Sequence, residues 1–167
     1  LNKKYQLQYD LYKMPFNQGR GGVPEPVAGS SNNGMSNYYP RFSPDGKWLV
    51  FCRSKNGIIL QPDSKLYIIP SKGGIARKLH GNTPLMNSWH SWSPNSRWLV
   101  FVSKANMPYT ELFLTHIDKY GNSSVPALLS RFSSFFYAAN VPEFVDLKKY
   151  GIKKFAINYF GNTDTSN

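Results

Sequence analysis

The sequence predicts an all-β fold, a partial β-propeller of four-stranded antiparallel blades belonging to a six- to eight-bladed ring. Three observations carry that expectation. The stretch Tyr39-Pro40-Arg41-Phe42-Ser43-Pro44-Asp45-Gly46-Lys47-Trp48-Leu49-Val50-Phe51 returns as Trp89-His90-Ser91-Trp92-Ser93-Pro94-Asn95-Ser96-Arg97-Trp98-Leu99-Val100-Phe101, fifty positions on. A repeat of that length is the mark of a propeller blade or a solenoid unit. The run Trp48–Cys52 is apolar on both faces of a strand, so it must be covered above and below. A radial stack of sheets meets that condition, whereas an isolated meander with one wet face does not. Finally, 16% of residues are aromatic, with 13 Gly and 12 Pro, the composition of a β protein with frequent turns.

The N-terminal portion alternates imperfectly over residues 5–16. Leu11-Tyr12 followed by Pro15 matches Leu66-Tyr67 followed by Pro70, and 19–22 and 23–27 match the turn at Gly73-Gly74 and the strand 75–79. It reads as the back half of a blade. Residues 28–37, rich in Gly, Ser and Asn, form a loop.

The first complete repeat parses into four strands. Strand 38–42 enters the turn Ser43-Pro44-Asp45-Gly46. There Pro pre-sets φ, Asp bonds its own backbone, and Gly is free to take φ > 0. Strand 47–53, a loop to 65, strand 66–70, the tight turn Ser71-Lys72-Gly73-Gly74 and strand 75–79 follow. The second copy runs 88–92, turn 93–96, 97–103, a loop around Tyr109, 111–117, turn 118–122 and 125–129. Asn95-Ser96 replaces Asp-Gly. Asn tolerates the left-handed region and Ser gains nothing there, so a type I or less regular turn is expected.

The chain thus divides into blades over 1–130 (half blade 5–28, blade 37–80, blade 87–129), further strands or a closing segment over 131–160, and a polar tail over 161–167. Within the second part, 131–137 is a candidate inner strand and 152–160 a candidate strand. At about 45 residues per blade, 167 residues make fewer than the four that a closed ring needs. The remaining blades are expected from the same longer protein or, alternatively, from a second chain. The first residue, Leu1, follows no leader pattern, which reads as a processed end or an internal piece.

Net charge is +11, but the basic residues are scattered from Lys3 to Lys154. The one local concentration, Lys148, Lys149, Lys153 and Lys154, adjoins Asp146. This is a solvated basic surface rather than a specific nucleic-acid site. No apolar run is long enough to span a membrane. The single cysteine, Cys52, excludes an internal disulfide or a CxxC motif; inside an apolar run it reads as a buried small hydrophobe.

No G-x-S-x-G elbow is present. Ser93 and His90 are close in sequence but lack a neighbouring acid, and Ser93 is a turn residue. His80, His90 and His116 have no H-E-x-x-H spacing, and a site shared by His80 and His90 is the one metal arrangement worth weighing. No catalytic, cofactor-binding or metal residue is assigned, and no cofactor is expected. A binding surface is left. Loops 28–37, 55–65, 80–87 and 104–110 gather at one face of a propeller, and loops on a rigid scaffold carry recognition. The candidate partner-binding residues there are Trp89, His90, Tyr109, His80 and Asn82.

The pattern Pro40-x-Phe42-Ser43-Pro44-Asp45-Gly46-Lys47-x-Leu49-x-Phe51, with Leu66-Tyr67 and Gly73-Gly74 after it, resembles the repeat of TolB-type β-propellers. The same repeat occurs in the propellers of prolyl-oligopeptidase-like enzymes. The resemblance covers about residues 10–130. It implies a non-enzymatic interaction module of the bacterial periplasm or cell surface, with a protein partner such as an envelope lipoprotein. Two alternatives stay open: an accessory propeller of a hydrolase, and a glycan-binding propeller using surface aromatics such as Trp89. The motif specifies the blade and leaves the function to the loops.

Overall fold

A computed structural model describes residues 6–147 and 149–151. Within them the protein is a partial β-propeller. The candidate strand 152–160 and the tail 161–167 lie outside the described residues.

Strands β1 (Tyr12–Lys13) and β2 (Glu25–Pro26) form a two-stranded sheet. The first full blade is β3 (Ser36–Phe42), β4 (Trp48–Ser54), β5 (Lys65–Pro70) and β6 (Arg77–Lys78), paired in that order. The second is β7 (Asn87–Trp92), β8 (Trp98–Ser103), β9 (Glu111–His116) and β10 (Ala127–Leu128). All pairings are antiparallel.

Each central strand is buried on both faces, as its unbroken apolar run requires. Leu49, Phe51 and Ile69 pack against Leu11 and Val27 of the N-terminal half blade. On the other face Val50, Cys52, Leu66 and Ile68 meet Trp92, Leu99, Phe101 and Phe113 of the second blade. Burying each of these large side chains contributes about 2–3 kcal/mol. Gly29 lets the half blade approach: at φ +85° a Cβ there would lie 1.9 Å from Gly74 O.

Backbone hydrogen bonds reproduce the repeat where the sequence does not. Val27 N donates to Leu11 O, Leu79 N to Leu66 O and Leu129 N to Leu112 O. At the opposite edge Asn37 N donates to Tyr9 O, Asn87 N to Ser64 O and Ala139 N to Thr110 O. A hydroxyl reinforces the last two, Ser64 Oγ to Asn87 O at 2.7 Å and Thr110 Oγ1 to Ala139 O at 2.7 Å. Each inner strand then passes one residue in the left-handed region: Tyr39 at φ +55°, Trp89 at +44° and Val141 at +46°. In β3 and β7 that residue is the β-bulge that shifts the register.

Residues 139–141 repeat the backbone bond and left-handed residue with which β3 and β7 begin, although no strand forms over 139–145 among the described residues. This corrects the expectation that 131–137 is the inner strand. Ser130–Phe132 is instead a 3-10 turn, and residues 133–138 form no strand. The Ser-Pro-Asp-Gly turn is missing from this copy, and the aromatic run 135–137 mimics strand sequence.

The turns of the two full blades are the same. Ser43 Oγ donates to Asp45 Oδ1 and accepts Trp48 N, and Asp45 Oδ1 also accepts Lys47 N. Ser93, Asn95, Arg97 and Trp98 repeat every bond. Ser96, which follows the turn's central pair Pro94-Asn95, takes the glycine conformation at φ +59°.

Candidate functional site

Because the strands alternate in direction, the β4–β5 and β8–β9 loops and the segments entering each inner strand emerge at one end of the blades. The segments 55–64, 79–86, 104–110 and 129–138 thus share a face. Bonds between these loops and the next blade tie them to the sheets. Lys65 Nζ donates to Thr83 O, Pro84 O and Leu85 O at 3.1, 2.6 and 2.6 Å, and burial lowers its pKa. Asn87 Nδ2 holds Thr83 O at 3.1 Å.

The five candidate residues divide sharply. His80 and Tyr109 are exposed on this face. Asn82 is half-buried, and its amide is fully engaged: Oδ1 accepts Leu66 N at 2.7 Å while Nδ2 donates to Leu66 O and Leu79 O. It closes the edge of β5, as a strand-end Asn does. Trp89 is half-buried at the bulge of β7. His90 is no surface residue at all, being 0% exposed. Its Nε2 donates to Val50 O at 3.0 Å, leaving Nδ1 toward Cys52 Sγ at 3.8 Å.

That Cys–His pair has no nucleophilic character. Burial pushes the Cys52 thiol up to about 12 and the His90 imidazole down to about 4. Both groups stay neutral at pH 7, the reverse of an activated thiolate–imidazolium pair. Both ring nitrogens of His90 face core groups, Val50 O and Cys52 Sγ, whereas His80 is exposed. Among the described residues no three His, Cys, Asp or Glu side chains come together.

An open cavity of about 500 Å³ lies on the loop face, lined by Lys65, Lys78, His80, Asn82, Thr83 and Pro84. Beside it the loops present apolar side chains to solvent. Ile58, Ile59 and Leu60 are each about two-fifths exposed, Leu85 is 50% exposed, and Phe136 is 90% exposed. None of these residues is among the five candidates read from the sequence. Their signal was an apolar run inside a loop, bounded by Asn56-Gly57 and Gln61-Pro62-Asp63, where strand periodicity had no use for it.

Nearer the inner strands, Glu143 joins the segment 139–145 to both full blades. Its Oε1 accepts Arg41 Nη2 at 2.6 Å and its Oε2 accepts Ser91 Oγ at 2.6 Å. Arg41 also donates to the Tyr39 hydroxyl. That bond and the Glu143 carboxylate raise the guanidinium pKa.

No protein-family model and no curated protein matches the chain. Solved structures do. A TolB structure from Agrobacterium tumefaciens superposes with a TM-score of 0.55 at 21% identity, covering 81% of this chain and 43% of that one. Puromycin hydrolase gives 0.53 at 21% identity, over 73% of this chain and 21% of that one. TolB from Acinetobacter baumannii gives 0.50 at 15% identity, over 72% and 26%. These likenesses are of fold. The chain spans less than half the length of the proteins it resembles.

Proposed function

We infer that this chain is a non-enzymatic propeller scaffold of the bacterial envelope that presents its loop face to a protein partner. The observation that carries the reading is the run of exposed apolar side chains on that face, Ile58–Leu60, Leu85 and Tyr109, mounted on loops bonded to a buried scaffold. Exposed apolar surface of this kind marks interaction sites, and aromatic anchors dominate binding energy. The fold likeness to two TolB structures supports an envelope setting, with an envelope lipoprotein as the partner class. The blade boundaries follow the same reading: half blade 5–28, blades 37–80 and 87–129, and a further blade or closing segment over 131–160.

The test is a photo-activated cross-linker placed at Tyr109 and, separately, at Lys72 in the turn at the opposite end, in intact cells. A single protein cross-linked from position 109 and not from 72 supports the reading. Equal patterns from both positions overturn it.

A second reading rests on the likeness to puromycin hydrolase: the chain is an accessory propeller beside a catalytic domain. The loop face would then meet that domain. Peptidase activity in the longest natural form of the protein, absent from this chain alone, distinguishes the two.

A further inference from the structure

We propose that the loop face seats on an anionic lipid bilayer, with two loop tips entering the headgroup region. The proposal rests on the reading of this face as the contact face and adds the surface against which a membrane-anchored partner would be met.

The apolar residues are arranged as runs at loop tips rather than as a flat patch. Ile58-Ile59-Leu60 caps the β4–β5 loop of the first blade, and Phe135-Phe136-Tyr137 lies in the loop 129–138. All six side chains are exposed, the second run more strongly, with Phe135 77% and Tyr137 65% exposed. The first run is held out at a conformational cost. Ile59 and Leu60 sit at φ +60° and +53°, unfavourable for a β-branched residue above all. Gln61 Nε2 donates to Ile58 O and Ile59 O, keeping the tip in that shape. Strain retained in an exposed apolar tip is the pattern of a functional segment.

Charge complements the tips. Lys55 and Arg131 are exposed on the two tip-bearing loops and Lys104 is half-buried on the β8–β9 loop, and none of the three is ion-paired among the described residues. The nearby Asp63 uses Oδ2 to accept Lys55 N at 2.8 Å. A net charge of +11 adds long-range attraction to an anionic surface. Aromatic rings prefer the interface between water and acyl chains, and adjacent cations meet lipid phosphates.

The experiment is sedimentation of the purified chain with vesicles of phosphatidylcholine alone and of phosphatidylcholine mixed with phosphatidylglycerol. The expected result is binding to the mixed vesicles, weakened about tenfold by 0.5 M salt as the cations are screened. The double substitution Phe135→Ser, Phe136→Ser is expected to weaken it by about tenfold or more, and Ile59→Ser by less. These side chains are exposed, and circular dichroism checks that the fold persists. The proposal is overturned by no binding to either vesicle, or by binding that survives the double substitution. It is also overturned if the substitution abolishes self-association seen by gel filtration, which would assign the loops to a second copy. Cross-linking from Tyr109 reads the protein partner independently, so the two ideas fail separately.

Discussion

Ser96 Oγ accepts the backbone N–H of Asp45 at 2.9 Å, so the turn of the second blade is fastened to the turn of the first. The same residue stands in the left-handed region at φ +59°, where a serine costs about 1 kcal/mol relative to glycine. The inter-blade bond offsets that cost.

Replacing Ser96 by alanine keeps the strain and removes the acceptor, and should lower stability by about 1 kcal/mol in urea titration. Ser96→Gly removes both, and the gain and loss should nearly cancel. A stabilised alanine variant would show that the bond contributes nothing.

His90 makes stability depend on pH. Its folded pKa, about 4, lies below the ordinary 6.5, because burial disfavours the imidazolium. Between those values the unfolded chain binds the extra proton, so stability falls as pH drops from about 6.5 to about 4 and the His90 contribution levels off below that. The full loss is about 3 kcal/mol. His90→Gln can still donate to Val50 O but does not titrate. Urea midpoints measured at pH 7 and pH 4.5 should diverge for the native chain more than for this variant.

The Cys52 thiol, 0% exposed and pushed up to about 12, should resist iodoacetamide at pH 8 in the folded protein. It should react fully in denaturant. Modification in native buffer at the rate of a free thiol would show that the interface between the two full blades opens readily.

Glu143 ties the segment 139–145 to the two full blades. With both ion-pair side chains nearly half exposed, 42% and 47%, Glu143→Ala should change global stability by less than about 1 kcal/mol. Locally, the amide of Ala139, bonded to Thr110 O at 2.9 Å, should lose protection from hydrogen exchange by severalfold. Unchanged exchange at Ala139 would place the anchoring elsewhere.

In the core, Leu66→Ala should cost 2–5 kcal/mol, since Leu66 is fully buried between the two full blades. Thermal unfolding reports it directly. A loss of less than 1 kcal/mol would mean that this interface is loosely packed.

Much of the fold was legible before any coordinates. The fifty-residue register of Trp48 and Trp98 and the two-faced apolar runs after them place β4 and β8 between neighbouring sheets, because only coverage on both faces satisfies them. The turns were legible too, from Ser-Pro-Asp-Gly, but the bond from Ser96 to another blade was not. The candidate site was far less legible. His90 sits one residue beyond the bulge at Trp89, and the bulge turns it into the core; alternation cannot count an extra residue that sequence does not mark.

Sequence by itself determined the blade and its repeat, since those rest on periodicity and turn chemistry, which are local. Tertiary structure alone decided that residues 139–141 repeat the entry into β3 and β7, that Ser96 bridges two turns, and that His90 is core while Ile58–Leu60 is surface. The first three of those outcomes depend on a hydrogen bond to a residue some 30 to 50 positions away, and no local pattern encodes such a partner.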